Sequence, residues 1–121
     1  MVRAVLVTAA VVTATWCGAP ANAQSARYEE CLARAGGTVQ RGVCAQSEIG
    51  AQDDRLNKAY QQLMRQLTPT PQKKLALRQA QRSWLARRDY ECKLNRDTVD
   101  SECVLQKTAT RADELEARLR F

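Results

Sequence analysis

The chain has 121 residues, 45% hydrophobic and 26% charged, with 19 basic against 13 acidic side chains for a net charge of +6. That length fits one small domain. The sequence contains no histidine, which excludes the usual general base, the Ser-His and Cys-His nucleophile pairs and the commonest metal ligand.

Met1-Val2-Arg3 is a short basic start, and Ala4 to Trp16 is a run of small and β-branched residues. Ala21-Asn22-Ala23 follows Pro20 and fits the small-x-small rule for signal peptidase, so residues 1–23 are expected to be a cleaved signal peptide and 24–121 the mature domain. The alternative is a retained membrane anchor, but 13 residues fall short of the roughly 20 that span a bilayer. Trp16 before Cys17 does not suit a lipid-attachment cysteine, so Cys17 is expected to leave with the signal. Loss of Arg3 leaves 18 basic and 13 acidic side chains, a net of +5. A charge this mild is met by scattered surface cations, and it also suits anionic envelope polymers, lipid headgroups or an acidic partner.

Four helices account for nearly all of the mature chain. Residues 25–35 form a short amphipathic segment stopped by Gly36-Gly37. Thr38 to Gln46 reads as a loop with Gly42 at its tip, and Ser47 as the cap of a helix over about 48–67. In that helix Leu56, Ala59, Tyr60, Leu63, Met64 and Leu67 match the helical template, and Ile49 extends the face one turn back. Asp54 and Lys58 make an acid-before-base pair on its solvated side.

In Thr68-Pro69-Thr70-Pro71, Pro69 ends the helix, Thr70 suits the next N-cap and Pro71 its first position. So short a connection predicts an antiparallel hairpin with a second long helix over about 71–94. After a polar turn at Asn95 to Asp100, Ser101 is expected to cap a last helix over about 102–119. Its Leu105, Thr108, Ala112, Leu115 and Leu119 form a narrow seam able to lie along the hairpin. The expected fold is all-α: a small antiparallel bundle with a central long hairpin and flanking N- and C-terminal helices.

Four cysteines remain in the mature chain, Cys31, Cys44, Cys92 and Cys103, and an even count in an exported small domain reads as two disulfides. Of the three possible pairings, Cys31–Cys44 with Cys92–Cys103 is favoured because each pair brackets a turn. Each such loop gives about 3 kcal/mol in the chain-entropy model. A four-cysteine zinc site is the alternative, but no C-x-x-C knuckle is present.

The stretch AQRSWLARRDYEC, residues 80–92, places Gln81, Trp84, Arg88 and Cys92 in one arc with Leu77 and Leu85. A tryptophan there fills the space between helices. Gln81 and Arg88 then need partners. Adjacent helical residues point apart, so Arg88 is expected not to pair with Asp89 and to take its partner from another helix or a backbone carbonyl. Asn57 beside the opposing face, with Thr108 and Arg111 flanking the last seam, completes a candidate network of Asn57, Gln81, Trp84, Arg88, Thr108 and Arg111. Its structural reading is a brace that sets helix register. Its functional reading is a cleft in which Arg88 binds a carboxylate or sugar.

The doublets Glu29-Glu30 and Asp53-Asp54 resemble paired catalytic carboxylates, but neighbours on a helix diverge and nothing apolar holds one protonated. Arg78, Arg82 and Lys93 make a basic flank broken by Asp89, with no interleaved aromatics for nucleic acid. No catalytic residue, cofactor or metal is indicated, and the chain reads as a binding protein.

Asp54-x-Leu56-Asn57-x-x-Tyr60-x-x-Leu63-Met64, then Leu77-x-x-Ala80-Gln81-Arg82-x-Trp84-x-x-x-Arg88-Asp89-x-x-Cys92, then Cys103 and Thr108-x-x-Arg111-x-x-x-Leu115 resemble the N-terminal domain of the LprI-type lysozyme-inhibitor family. The resemblance runs over about residues 31–119. It implies an exported, helical bacterial protein, periplasmic or secreted, with a lysozyme-like enzyme as partner. The family takes its name from a lipoprotein that inhibits lysozyme, and this chain departs from it in lacking a lipidation signal. A net positive charge also repels strongly basic animal lysozymes at long range. No partner-binding residues carry over from the family. The rival expectation is an envelope module whose basic face contacts anionic glycan or lipid, with no enzyme target.

Overall fold

The computed structural model describes residues 25–120, and the proposed signal at 1–23 lies outside them. Four helices follow one another: α1 (Ala26–Arg34), α2 (Thr38–Gln66), α3 (Pro71–Glu91) and α4 (Ser101–Arg118). Among the described residues no helix is long and apolar enough to cross a membrane.

The hydroxyl of Ser25 caps α1 by accepting from the Tyr28 amide, and α1 ends at Arg34 just before the Gly36-Gly37 stop. The segment expected as a loop, Thr38 to Gln46, is the first part of α2, so Ser47 lies inside the helix and caps nothing. Ala45 is fully buried and Cys44 nearly so. That burial, with the Cys31–Cys44 bond to α1, outweighs the weak helix propensity of Val39, Gly42 and Val43.

Thr70 and Pro71 occupy the N-cap and first position of α3 as expected. The Thr70 hydroxyl donates back to the Leu67 carbonyl rather than capping the new helix. The cap of α4 is Asp100, not Ser101; its carboxylate accepts from the Cys103 amide at 3.2 Å.

Helices α2 and α4 run parallel and pack closest, and the other two lie against this pair. The alanines at the contact, Ala59, Ala109 and Ala112, are almost fully buried and let the two backbones approach. Arg41 meets Glu102 near their starts, Arg55 grips Asp113 and Glu116 midway, and Gln66 exchanges two hydrogen bonds with the Arg120 backbone at their ends. The short Thr68–Thr70 turn reverses the chain, so α3 runs antiparallel to both.

The core is divided in two. Near the turn, Leu56, Ala59 and Leu63 of α2 meet Leu77 of α3 and Ala112 and Leu115 of α4. Toward the N-terminus, Tyr28 of α1 packs with Cys44, Ala45 and Leu105. The two cysteine pairs sit at disulfide distance, with Cα atoms 5.7 Å apart for Cys31 and Cys44 and 5.5 Å for Cys92 and Cys103. Both lie at the same end of the molecule, away from the turn.

Candidate functional site

Helix α3 turns only a narrow stripe inward: Leu77 and Gln81 are buried, Trp84 and Arg88 half-buried, and Cys92 closed over at its end. Leu85, one residue off that stripe, is 39% exposed. Gln81 accepts from the Arg111 guanidinium at 3.0 Å. Arg111 also donates to Glu114 at 3.0 Å.

Arg88 reaches across to α4, where it donates to the Thr108 hydroxyl at 3.2 Å. Thr108 is fully buried and donates in turn to the Val104 carbonyl at 2.7 Å, so its oxygen has both partners. The guanidinium carbons of Arg88 and Arg111 stand 5.3 and 5.9 Å from the Trp84 ring centroid. Two cations within cation–π range thus flank one aromatic, and each is held in place by an amide or hydroxyl from the facing helix.

Two sequence expectations are corrected here. Asn57 is exposed on α2 and joins no bond with Gln81 or Arg88. Asp53, one turn earlier, supplies the α2 partner, 3.7 Å from Arg88. Arg88 also pairs with Asp89 at 3.0 Å. The divergence of neighbouring Cα–Cβ bonds is overcome by the length of the arginine side chain, which bends its head back along the helix surface.

Between α3 and α4 the network borders an open cleft of about 460 Å³. Arg87, Lys107 and Glu91 lie along its rim. Lys107 and Glu91 are paired at 2.6 Å, and the ammonium holds the Glu91 carboxyl below its ordinary pKa.

A second polar chain lies outside the residues that the sequence singles out. Glu48 is buried on α2 and accepts from the Ser25 amide at 2.9 Å, the Ser25 hydroxyl at 2.6 Å and Gln52 at 3.1 Å. Burial disfavours its charge, but these hydrogen bonds outweigh burial and leave its pKa below the ordinary carboxylate value. Gln52 accepts from Arg55, which forms a bidentate pair with Glu116 at 2.6 and 2.8 Å and a further contact with Asp113. The chain therefore links α1 through α2 to α4. Its sequence signal is the continuation of the Leu56 face back through Gln52 and Glu48 at four-residue steps. Among the described residues no buried side-chain nitrogen or oxygen lacks a partner.

The stapled end carries a different surface. Between Cys92 and Cys103 the chain makes a narrow loop, closed by an antiparallel bridge between Lys93 and Val99. Bonds from Leu94 N to Thr98 O at 2.9 Å and from Asp100 N to Cys92 O at 2.9 Å fix its shape. The Asn95 side chain adds a turn bond by accepting from Asp97 N at 3.0 Å. Every residue from Lys93 to Val99 is nevertheless exposed. Leu94 and Val99 are 65% and 49% exposed, and Val39 and Val43 of α2 are 76% and 61% exposed. Val39 borders one depression with Leu94 and Val99 and another with Val43, so the four form a continuous apolar strip.

The family model described as "Lysozyme inhibitor LprI" matches residues 30–115. No curated protein and no solved structure matches the chain. The match takes in the second half of α1, the Gln81–Trp84–Arg88–Thr108–Arg111 network, the Glu48–Gln52–Arg55–Asp113 part of the second polar chain, the cysteine pairs and most of α4. The chain belongs to the LprI lysozyme-inhibitor family.

Proposed function

We propose that this protein is exported to the periplasm or secreted, where it binds a lysozyme or related wall-degrading glycosidase and blocks its cleft without itself catalysing a reaction. The observation that carries this reading is the family match across residues 30–115, which includes nearly the whole folded part. The Gln81–Trp84–Arg88–Thr108–Arg111 network serves in this reading as a brace. Each of its arginines is already bonded to protein partners on a neighbouring helix, and a satisfied network of this kind specifies one packing.

The test is lysis of killed bacterial cells by lysozymes of several types, followed as loss of turbidity with and without the purified protein. Slowed lysis by at least one type at stoichiometric concentrations supports the reading. A second reading rests on Arg78 and Arg82, which are exposed on α3 and form no ion pair among the described residues. Undiminished lysis by every lysozyme, with salt-sensitive binding to anionic vesicles or cell wall, replaces inhibition with contact to anionic glycan or lipid.

A further inference from the structure

The loop from Lys93 to Val99 combines two properties that seldom occur together. Its backbone is closed by its own hydrogen bonds, by the Cys92–Cys103 pair at its base and by the Asp100 cap of α4. All seven of its residues are meanwhile exposed, and none belongs to either core cluster. Segments that escape packing are usually mobile, and a rigid exposed loop with apolar shoulders is suited to insertion instead. Little ordering entropy remains to be lost when it binds.

The charges add direction. Arg96, in the turn of the loop, is exposed and forms no ion pair among the described residues. Lys93 is a second exposed cation in the loop, and Arg27 and Arg34 border the apolar strip beside Val39 and Val43. Against these stand Asp97 in the loop and Glu30 at the strip, while Glu102 is engaged by Arg41 and Asp100 by the Cys103 amide. Lysozyme-type glycosidases work with two carboxylates flanking an oxocarbenium-like, positively charged sugar. Their clefts therefore hold an ionised carboxylate beside a second, proton-donating carboxyl at the bottom of an elongated groove. A narrow protrusion with a cation at its turn and apolar flanks complements that groove in shape and charge.

We propose that the Lys93–Val99 loop, flanked by Val39 and Val43, is the surface that enters the substrate cleft of a lysozyme-type glycosidase, with the Arg96 guanidinium directed at its catalytic carboxylates. This rests on the inhibitor reading above and assigns the surface through which inhibition acts.

The test uses the full mature protein in the turbidity assay, with Arg96→Glu, Arg96→Lys and Leu94→Asp in the loop and Lys73→Glu, exposed at the start of α3, as a control of the same charge change. Circular dichroism and melting temperature confirm that each variant is folded. Arg96→Glu and Leu94→Asp are expected to raise the half-inhibitory concentration at least tenfold. Arg96→Lys is expected to retain most of the inhibition, and Lys73→Glu to stay within twofold of wild type.

The sign for Arg96→Glu is decisive. Against a basic lysozyme, long-range electrostatics alone would make this less positive variant a better binder, whereas loss of the cleft contact makes it worse. Unchanged or improved inhibition by folded loop variants, with an active wild type, overturns the loop assignment and leaves the inhibitor reading intact. A wild-type protein that slows no lysozyme overturns both.

Discussion

Arg88 makes contacts of several kinds at once, to Thr108, Asp53, Asp89 and the Trp84 ring. Arg88→Ala removes them together, although Thr108 keeps its bond to the Val104 carbonyl. A loss of about 1–3 kcal/mol is expected, seen as a melting temperature lower by roughly 4–8 °C per kcal/mol, with partner binding unchanged. An unaltered melting temperature with lost binding would turn the brace into a ligand contact. Glu48 carries a pH signature. Its folded-state pKa is lowered, so its contribution is present above the ordinary value of 4.5 and disappears as pH falls through the lower folded value. Glu48→Gln should cost about 1–2 kcal/mol at neutral pH and flatten the stability profile below pH 4.5, as measured by urea titrations across that range.

Among the elements, α2 departs most from what its residues suggest locally. Gly50 lies exposed within it, and a methyl group built there meets nothing within 4 Å. Gly50→Ala should therefore stabilise the protein by about 0.5–1 kcal/mol, raising the urea midpoint at unchanged slope. The helical periodicity of Leu56 to Leu67 and the punctuation at Thr68-Pro69-Thr70-Pro71 were legible because both are local. The start of α2 was not, because Val39, Gly42 and Val43 favour a loop until Ala45 is buried against α1 and α4. The network was legible in its α3 and α4 members, which share faces with apolar neighbours. Its α2 member was not, since a periodic face can be read from sequence but not which of Asp53 and Asn57 an arginine on another helix will reach. The apolar strip at the stapled end has no local signal in the sequence. Val39 and Val43 come from a segment read as a loop, and Leu94 and Val99 join them only through the tertiary fold.

At the scale of the molecule, α2 and α4 are a shared spine, with α1 covering one half of the core and α3 the other. The small size of each half makes the cysteine pairs matter. Replacing Cys92 and Cys103 together by serine should cost about 3 kcal/mol, checked by denaturant titration. Below its melting temperature the doubly substituted protein should remain helical yet inhibit more weakly, because the loop between them is no longer held at its base. Dithiothreitol should lower the melting temperature of the wild type and have little effect once all four cysteines are replaced.

The cysteine pairs join α1 to α2 and α3 to α4, and neither spans the turn between Gln66 and Pro71. The protein is therefore two covalently closed hairpins tied by one short strip of main chain. A single proteolytic cut at that strip would leave no covalent tie between the halves, and only non-covalent packing, chiefly of α2 on α4, would keep them associated. The same arrangement allows exchange between two copies, in which the α1–α2 half of one chain docks on the α3–α4 half of another and recreates every contact of the monomer. The rigidity of Pro69 and Pro71, which holds the turn closed, favours pairing within one chain.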